Sequence, residues 1–220
     1  MFAARGASFS KSIPPVKGSV YFDGTGDYLE PQSATSASNF GTGDYTAEFF
    51  YHPLASGQQN CIDNFGNSGV AIYRDGSPGY MHLYVGGNVV NSSVAITNNS
   101  WWHIAICRIG GGVKMYINGV LQPSPGNDST NYGGGANYPR VGLAFNGSVG
   151  VNGYISNLRL VKSALYGNAD FTPSATPLTA VSGTSLLTCQ SPTTITDASS
   201  NNLTVTAYGN AVASSTSPFA

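Results

Sequence analysis

The sequence predicts an all-β protein, a two-sheet antiparallel sandwich, on three observations. Short runs rich in Tyr, Phe, Val and Ile recur about every ten residues, separated by turn signals. Asn-Gly or Asp-Gly pairs beginning at Asp23, Asp75, Asn118, Asn146 and Asn152 punctuate them, and both residues of such pairs tolerate the positive φ of a tight hairpin. No segment sustains the apolar period of a helix. Short strands with no helices between them pack as an antiparallel sandwich.

In chain order, strands are expected near 19–22, 27–30, 44–52, 60–65, 70–74, 80–85, 101–109, 113–117, 140–145, 152–161, 184–190, 203–207 and 209–213. The clearest hairpin runs from Val113 through the Asn118-Gly119 turn to Val120-Leu121. Ser163-Ala164-Leu165-Tyr166 is compatible with one short helical turn. Residues 1–17 lack a strand pattern, contain Pro14-Pro15 and read as an N-terminal arm; residues 18–220 read as a single domain. Residues 122–139 form a long Gly/Asn-rich loop, and loops of this length are often functional. Residues 171–183, with Pro173 and Pro177, read as a strap joining the last strands to the sandwich.

Charge is the compositional anomaly. Only 9% of the 220 residues are Asp, Glu, Lys or Arg, against roughly 25% in an ordinary soluble domain. The net charge of −1 gives no field to attract phosphates, which argues against nucleic acid as a partner. It protects a free monomer poorly and suits a subunit held in an oligomer or larger assembly. No stretch approaches the apolar length of a membrane span, and no apolar run near the start reads as a signal peptide. Without a secretory signal, the five N-x-S/T sequons read as an Asn/Ser/Thr-rich surface. Cys61, Cys107 and Cys189 are far apart and outside any CxxC spacing, against both a disulfide framework and a zinc site.

The pentapeptide Gly-Thr-Gly-Asp-Tyr occurs at 24–28 and again at 41–45. A phosphate loop needs Gly-Lys-Ser/Thr and a following helix, and a dinucleotide fingerprint needs a third Gly where Leu29 and Thr46 stand. An EF-hand loop needs oxygen ligands at alternate positions and a closing Glu, which are missing. Each copy instead precedes an alternating run, so it reads as a turn: Gly bends the chain, Asp bonds backbone, and Tyr starts the strand.

The runs SVYFDGTGDYLE (19–30), DYTAEFFYHP (44–53), WWHIAICRIGGGVKMYINGV (101–120), VNGYISNLRLVKSALYGNADFTPSATPLT (151–179) and TSLLTCQS (184–191) together resemble a laminin G-like domain of the concanavalin A-like lectin/glucanase superfamily. The variety most similar is the one found in structural proteins of tailed bacteriophages, marine and cyanobacterial ones especially. The stretch TDASSNNLTVTAYGNAVASSTSPF (196–219) is similar to its closing strands. The resemblance implies a jelly-roll sandwich. It also implies a virion protein made in the host cytoplasm, as a head decoration or a tail-fibre component. Its partners would be other virion proteins and cell-surface polysaccharide. A dedicated carbohydrate-binding adhesion module is the alternative.

The superfamily includes glycanases, which work with two carboxylates flanking the bond. The chain holds two Glu, Glu30 and Glu48, and lacks the Glu-x-Asp-x-x-Glu strand motif of the glucanase branch. His52, His82 and His103 fall on different strands, and no nucleophile elbow is present. A non-catalytic protein with no catalytic residues is therefore expected. On the strand from 101, Trp102 shares a face with Ile104 and Ile106 and is expected in the core. Trp101 lies on the opposite face, either stacking on a sugar or packing under a loop. Tyr80, His82 and Tyr84 form a second polar-aromatic face. Asn127, Asp128, Asn131, Tyr132 and Tyr138 of the long loop offer amides, a carboxylate and flat rings, the adaptable chemistry of recognition loops. That loop is either a binding surface or a solvated connection. Laminin G relatives sometimes bind calcium at loop rims, so Asp63-Asn64 and Asn127-Asp128 are candidate ligands, with no spacing that identifies a site. The arm carries Arg5, Lys11 and Lys17 and the apolar Phe2, Phe9 and Ile13. It either docks on another subunit as an added strand or is a loose start.

Overall fold

The computed structural model describes residues 16–32, 37–63, 70–133 and 138–220. Among them are sixteen strands. The first eight are β1 (Ser19–Asp23), β2 (Tyr28–Pro31), β3 (Tyr45–Pro53), β4 (Gln59–Asp63), β5 (Val70–Arg74), β6 (Tyr80–Val85), β7 (Asn88–Ala95) and β8 (Trp102–Ile109). The others are β9 (Gly112–Ile117), β10 (Val120–Leu121), β11 (Gly126–Asn127), β12 (Arg140–Val141), β13 (Asn152–Val161), β14 (Thr184–Thr188), β15 (Val205–Tyr208) and β16 (Val212–Ser214).

They form two antiparallel sheets. The first runs β10-β9-β8-β3-β13-β1-β16, with β11 added on β9 and β14 on β13; the second runs β15-β2-β12-β4-β5-β6-β7. Strand alternation decides which side chains meet between the sheets. Tyr45, Ala47, Phe49 and Tyr51 of β3 face Ile62, Ile72, Met81 and Leu83 of the second sheet within one continuous core. The predicted all-β sandwich is the observed fold, and no described residue is helical.

Most predicted strands fall within a residue or two of the observed ones, and the differences have local reasons. The run expected at 140–145 pairs only at Arg140–Val141, because the chain turns at Gly142, whose φ is 95°. β7 was not expected: Asn88, Asn91, Ser92 and Ser93 make it look like a loop, yet it closes the edge of the second sheet beside β6. Residues 163–166 form no helical turn, since their polar groups bond the first sheet instead of each other. Trp102 is half-buried, packed against the core with its Nε1 donating to the Thr97 carbonyl, so it is a lid on the core rather than its centre. The arm predicted at 1–17 lies outside the described residues up to position 15.

The strap is longer than predicted and closes much of the outer face of the first sheet. Thr46 Oγ1 donates to the Ser163 carbonyl and accepts from the Leu165 amide. Tyr116 donates to the Gly167 carbonyl, and Phe171 stacks on Tyr166 at 3.7 Å. Gly119 is obligatory in this closure, because a Cβ there would lie 1.9 Å from the Phe171 carbonyl oxygen. Beneath the strap, Glu48 is fully buried and accepts from His103 Nε2 at 3.1 Å, Arg159 Nη2 at 2.6 Å and the Tyr166 hydroxyl at 2.7 Å. The structural role predicted for Glu48 is the role of an anchor holding strap to sheet.

Burial pushes the Glu48 carboxyl up, but the His103 ring, the Arg159 guanidinium and the Tyr166 hydroxyl outweigh it, and the net is below the usual carboxylate range. The ionised anchor therefore adds stability above pH about 4.3, the ordinary Glu value, and loses it as pH falls through the lower folded value. Denaturant melts from pH 6 to pH 3 should show the wild type losing more stability than Glu48→Gln. Parallel losses would show that the carboxylate is not an anchor. At neutral pH, Glu48→Ala should cost about 3–5 kcal/mol, as when one partner of a buried pair is removed.

Candidate functional site

The long loop turns out to be an anchored element. Arg108 of β8 is fully buried and must satisfy its guanidinium inside the protein. Its Nε donates to the Gly43 carbonyl at 2.8 Å, Nη2 to Gly41 at 2.8 Å, and Nη1 to Thr130 at 2.8 Å. The rings of Tyr45 and Tyr132 flank it with centroids at 5.0 and 4.8 Å. Asp128 Oδ2 lies 3.4 Å from Nη1 and accepts from the Tyr132 hydroxyl at 2.7 Å, while its Oδ1 accepts from the Thr130 amide.

Of the predicted contact residues, Asp128 and Tyr132 are buried, with Asp128 engaged by Arg108, the Thr130 amide and the Tyr132 hydroxyl. Asp128 also offers calcium no free carboxylate, since both its oxygens are engaged. Asn127 and Asn131 stay exposed, Asn127 in β11, and Tyr138 is half-buried against the core. Among the described residues of the loop, no exposed ring joins the exposed amides of Asn127 and Asn131. Asn64, the partner suggested for Asp63, lies outside the described residues, among which no group of three metal-binding side chains occurs. Trp101 is half-buried with its ring stacked on His52 at 5.1 Å, in a row continued by Tyr154 and Tyr21 on the outer face of the first sheet.

The two pentapeptides have different partners for the same turn chemistry. In the first, Asp27 Oδ2 accepts from the Asp23 amide at 2.8 Å, closing the turn between β1 and β2. In the second, Gly41 and Gly43 aim their carbonyls at Arg108, and Asp44 accepts from the Gly110 amide at 2.8 Å.

A cleft of about 240 Å³ lies at the long loop, lined by Gly110, Gly111, Asn127, Asp128 and Ser129, and one of about 440 Å³ lies on the outer face of the second sheet. Ala71 of β5 forms its floor, between Asp63 of β4 and Tyr84 of β6, its direct cross-strand partners. Large neighbours around a small central residue make the hollow. Tyr73 and Tyr84 line one side, and Phe145, on the turn after β12, lines the other. Tyr84 is 38% exposed and Phe145 60%, the most exposed large apolar side chain among the described residues. Phe145 is nonetheless held. Arg140 lies against its ring at 4.8 Å and against Tyr28 at 4.2 Å, and Tyr28 stacks on Tyr208 at 4.4 Å. The Phe145 amide donates to Asp63 Oδ2 at 2.7 Å, and Arg140 Nη1 donates to the Phe145 carbonyl at 2.9 Å.

Amides and a hydroxyl complete the lining: Gln58, Asn60, Asn146 and Ser148. Asn60 is positioned by a register shift between Asn60 and Ile62, a bulge that re-aims a side chain. Concave, ring-lined and furnished with a few polar groups, the cleft has the make-up of a small-molecule site. The Tyr80, His82 and Tyr84 face contained one wall of it. His82 itself is committed elsewhere, to Asn91 at 2.6 Å and Asp75 at 3.1 Å. The rest was hidden because Asn60, Ala71 and Phe145 meet only through strand pairing.

A family profile described as the concanavalin A-like lectin/glucanases superfamily, laminin G type, matches residues 23–168. No curated protein matches the chain. Among solved structures, the chain is similar to a Bacteroides ovatus protein classed provisionally as carbohydrate-binding, with 16% identity and a TM-score of 0.66. The match covers 96% of this chain, which spans 63% of the length of that protein. It is also similar to a heptameric SAP-like pentraxin from Limulus polyphemus, with 15% identity, a TM-score of 0.51, and coverage of 68% of this chain and 78% of that one.

Exposed Phe145 and buried Arg108 should behave oppositely on truncation. Phe145→Ala should leave stability within about 0.5 kcal/mol of wild type, while Arg108→Ala should cost about 3–5 kcal/mol by stranding Asp128 and three carbonyls. Urea melts of both variants check this; equal losses would mean that the Phe145 turn is part of the folded framework. With the profile spanning most of the chain and both sheets in place, the protein belongs to the concanavalin A-like lectin/glucanase superfamily.

Proposed function

We propose that the protein is a non-catalytic, lectin-like component of a tailed-phage virion, a head decoration or tail-fibre protein, that grips cell-surface polysaccharide in the cleft over Ala71. The cleft is the observation that carries the binding reading. Phe145 and Tyr84 offer aromatic faces to sugar C–H bonds, and the amides around them match sugar hydroxyls. The virion assignment is supported by the resemblance of the sequence runs to phage structural proteins and by the near-zero net charge. Fold alone does not give function.

The carboxylates support a binder over a glycanase. Asp63 is the single acid among the described residues lining the cleft, and its Oδ2 already accepts from the Phe145 amide. Glu48, with His103 and Arg159 beside it, has the make-up of acid–base chemistry, yet it is fully buried under the strap. A pair of carboxylates flanking one bond, as glycoside hydrolysis needs, is absent from the described lining.

The expected result on incubation with β-glucan, agarose and xylan is saturable retention of at least one polysaccharide without release of reducing ends. Widening the floor residue to fill the cleft, Ala71→Trp, should abolish retention. Turnover would overturn the non-catalytic reading, and retention undiminished by Ala71→Trp would move the site off this face.

A further inference from the structure

The charge in the cleft over Ala71 is one-sided. Among the described lining residues the single charged side chain is Asp63, and no Lys, Arg or His joins it. The six residues between Asp63 and Val70 are Asn-Phe-Gly-Asn-Ser-Gly, which add no charge in sequence. Arg140 stands opposite Asp63 in the pairing of β12 with β4, yet it is committed outside the lining. Its Nη1 donates to the Phe145 carbonyl at 2.9 Å, and its Nη2 lies 4.0 Å from Glu30. With Glu30 and Asp63 both beside it, that one guanidinium leaves the neighbourhood negative. Arg74 of β5 points the other way. It is buried on the same side of its strand as the core residue Ile72 and donates to the Ile96 and Gly57 carbonyls.

The accessible groups of the lining are neutral. Phe145 and Tyr84 expose their rings. Asn146 is exposed, and its Oδ1 accepts from the Ser148 amide at 3.0 Å and the Ser148 hydroxyl at 2.6 Å. Only the oxygen of a side-chain amide can accept from a backbone N–H, so Asn146 keeps its Nδ2 as a donor toward solvent. An uncharged sugar meets rings and a neutral donor here. A sulfate or uronate meets the Asp63 carboxylate and, among the described lining residues, no cation.

We propose that Asp63 is the specificity-determining residue of this cleft, admitting an uncharged pyranose stacked on Phe145 and turning away sulfated and uronate chains. The inference rests on the cleft reading above and goes beyond it in naming the residue and the ligand class. A protein discriminates by repelling the wrong partner as well as by contacting the right one. Repulsion between like charges acts over several ångströms, so the carboxylate works without touching the ligand. Its framework task is separable from its charge. Asp63 Oδ2 accepts from the Phe145 amide and from Asn60 Nδ2, and an Asn oxygen at this position accepts equally well.

The test uses the full chain, depletion assays and calorimetry, and polysaccharides paired by backbone type: agarose with carrageenan, and hydroxyethylcellulose with carboxymethylcellulose. At low salt, wild type should bind the neutral member of a pair about tenfold more tightly than the anionic one. Raising the salt should narrow that gap, because screening relieves a repulsion, and leave neutral binding unchanged. Asp63→Asn, melting near the wild-type temperature, should bind both members alike. Should that variant fold poorly, the wild-type salt series decides alone. Equal or tighter binding of the anionic member by wild type overturns the ligand class. A gap that neither salt nor a folded Asp63→Asn closes overturns the role of Asp63. In both of these outcomes the cleft still binds, as loss of retention in Ala71→Trp shows. No retention of any member overturns the cleft reading and this inference with it.

Discussion

The rest of the structure depends on how a chain with few charges buries some of them completely. Arg108 and Glu48 are both fully buried, on the neighbouring strands β8 and β3, at opposite faces of the first sheet. Neither can remain charged inside without several partners. Each therefore recruits loops that would otherwise be free. Arg108 gathers the second pentapeptide and the long loop through Gly41, Gly43, Thr130 and Asp128. Glu48 gathers β13 and the strap through Arg159 and Tyr166. Buried pairs of this kind give geometry more reliably than net stability, and here the geometry is the strap over much of the outer face of the first sheet and the anchored loops at the end of its inner face.

That closure leaves the second sheet as the face that meets the outside. Among the described residues its outer side carries no strap. It presents polar and aromatic side chains, with Ala71 as the gap between Asp63 and Tyr84. The wall opposite is one exposed ring, Phe145, kept in place by Arg140, Tyr28 and Tyr208 in succession. A rigid ring on a supported turn is better suited to recognition than a mobile one, because less freedom is lost on binding. The single charged side chain among the described lining residues is Asp63.

Much of the fold was legible because it rests on local signals. The alternation in Tyr45–Pro53 and in Asn152–Val161, and the Asn118-Gly119 turn, depend on residues next to one another in sequence. Both pentapeptides were readable as turns for the same reason, though not their partners: Arg108 lies 65 residues from Gly43. The site was less legible. Asn127, Asp128, Asn131 and Tyr132 have the composition of a binding loop, and only the buried Arg108 shows that Asp128 and Tyr132 are occupied. Asn60, Ala71 and Phe145 carry no motif and sit on strands β4 and β5 and the turn after β12. Strand pairing brings them together, and a sequence does not print its pairing. β7 was missed because its Asn and Ser residues are edge-strand chemistry, which reads as loop.

The central claim is that the uncovered face of the second sheet, over Ala71, is where this protein meets its ligand. Amide and side-chain NMR shifts during titration with a retained neutral polysaccharide test it most directly. The account predicts shifts confined to Asn60, Ala71, Tyr73, Tyr84 and the Phe145–Ser148 turn. Shifts centred on Asn127, Asn131 or Trp101, with those residues silent, would contradict it.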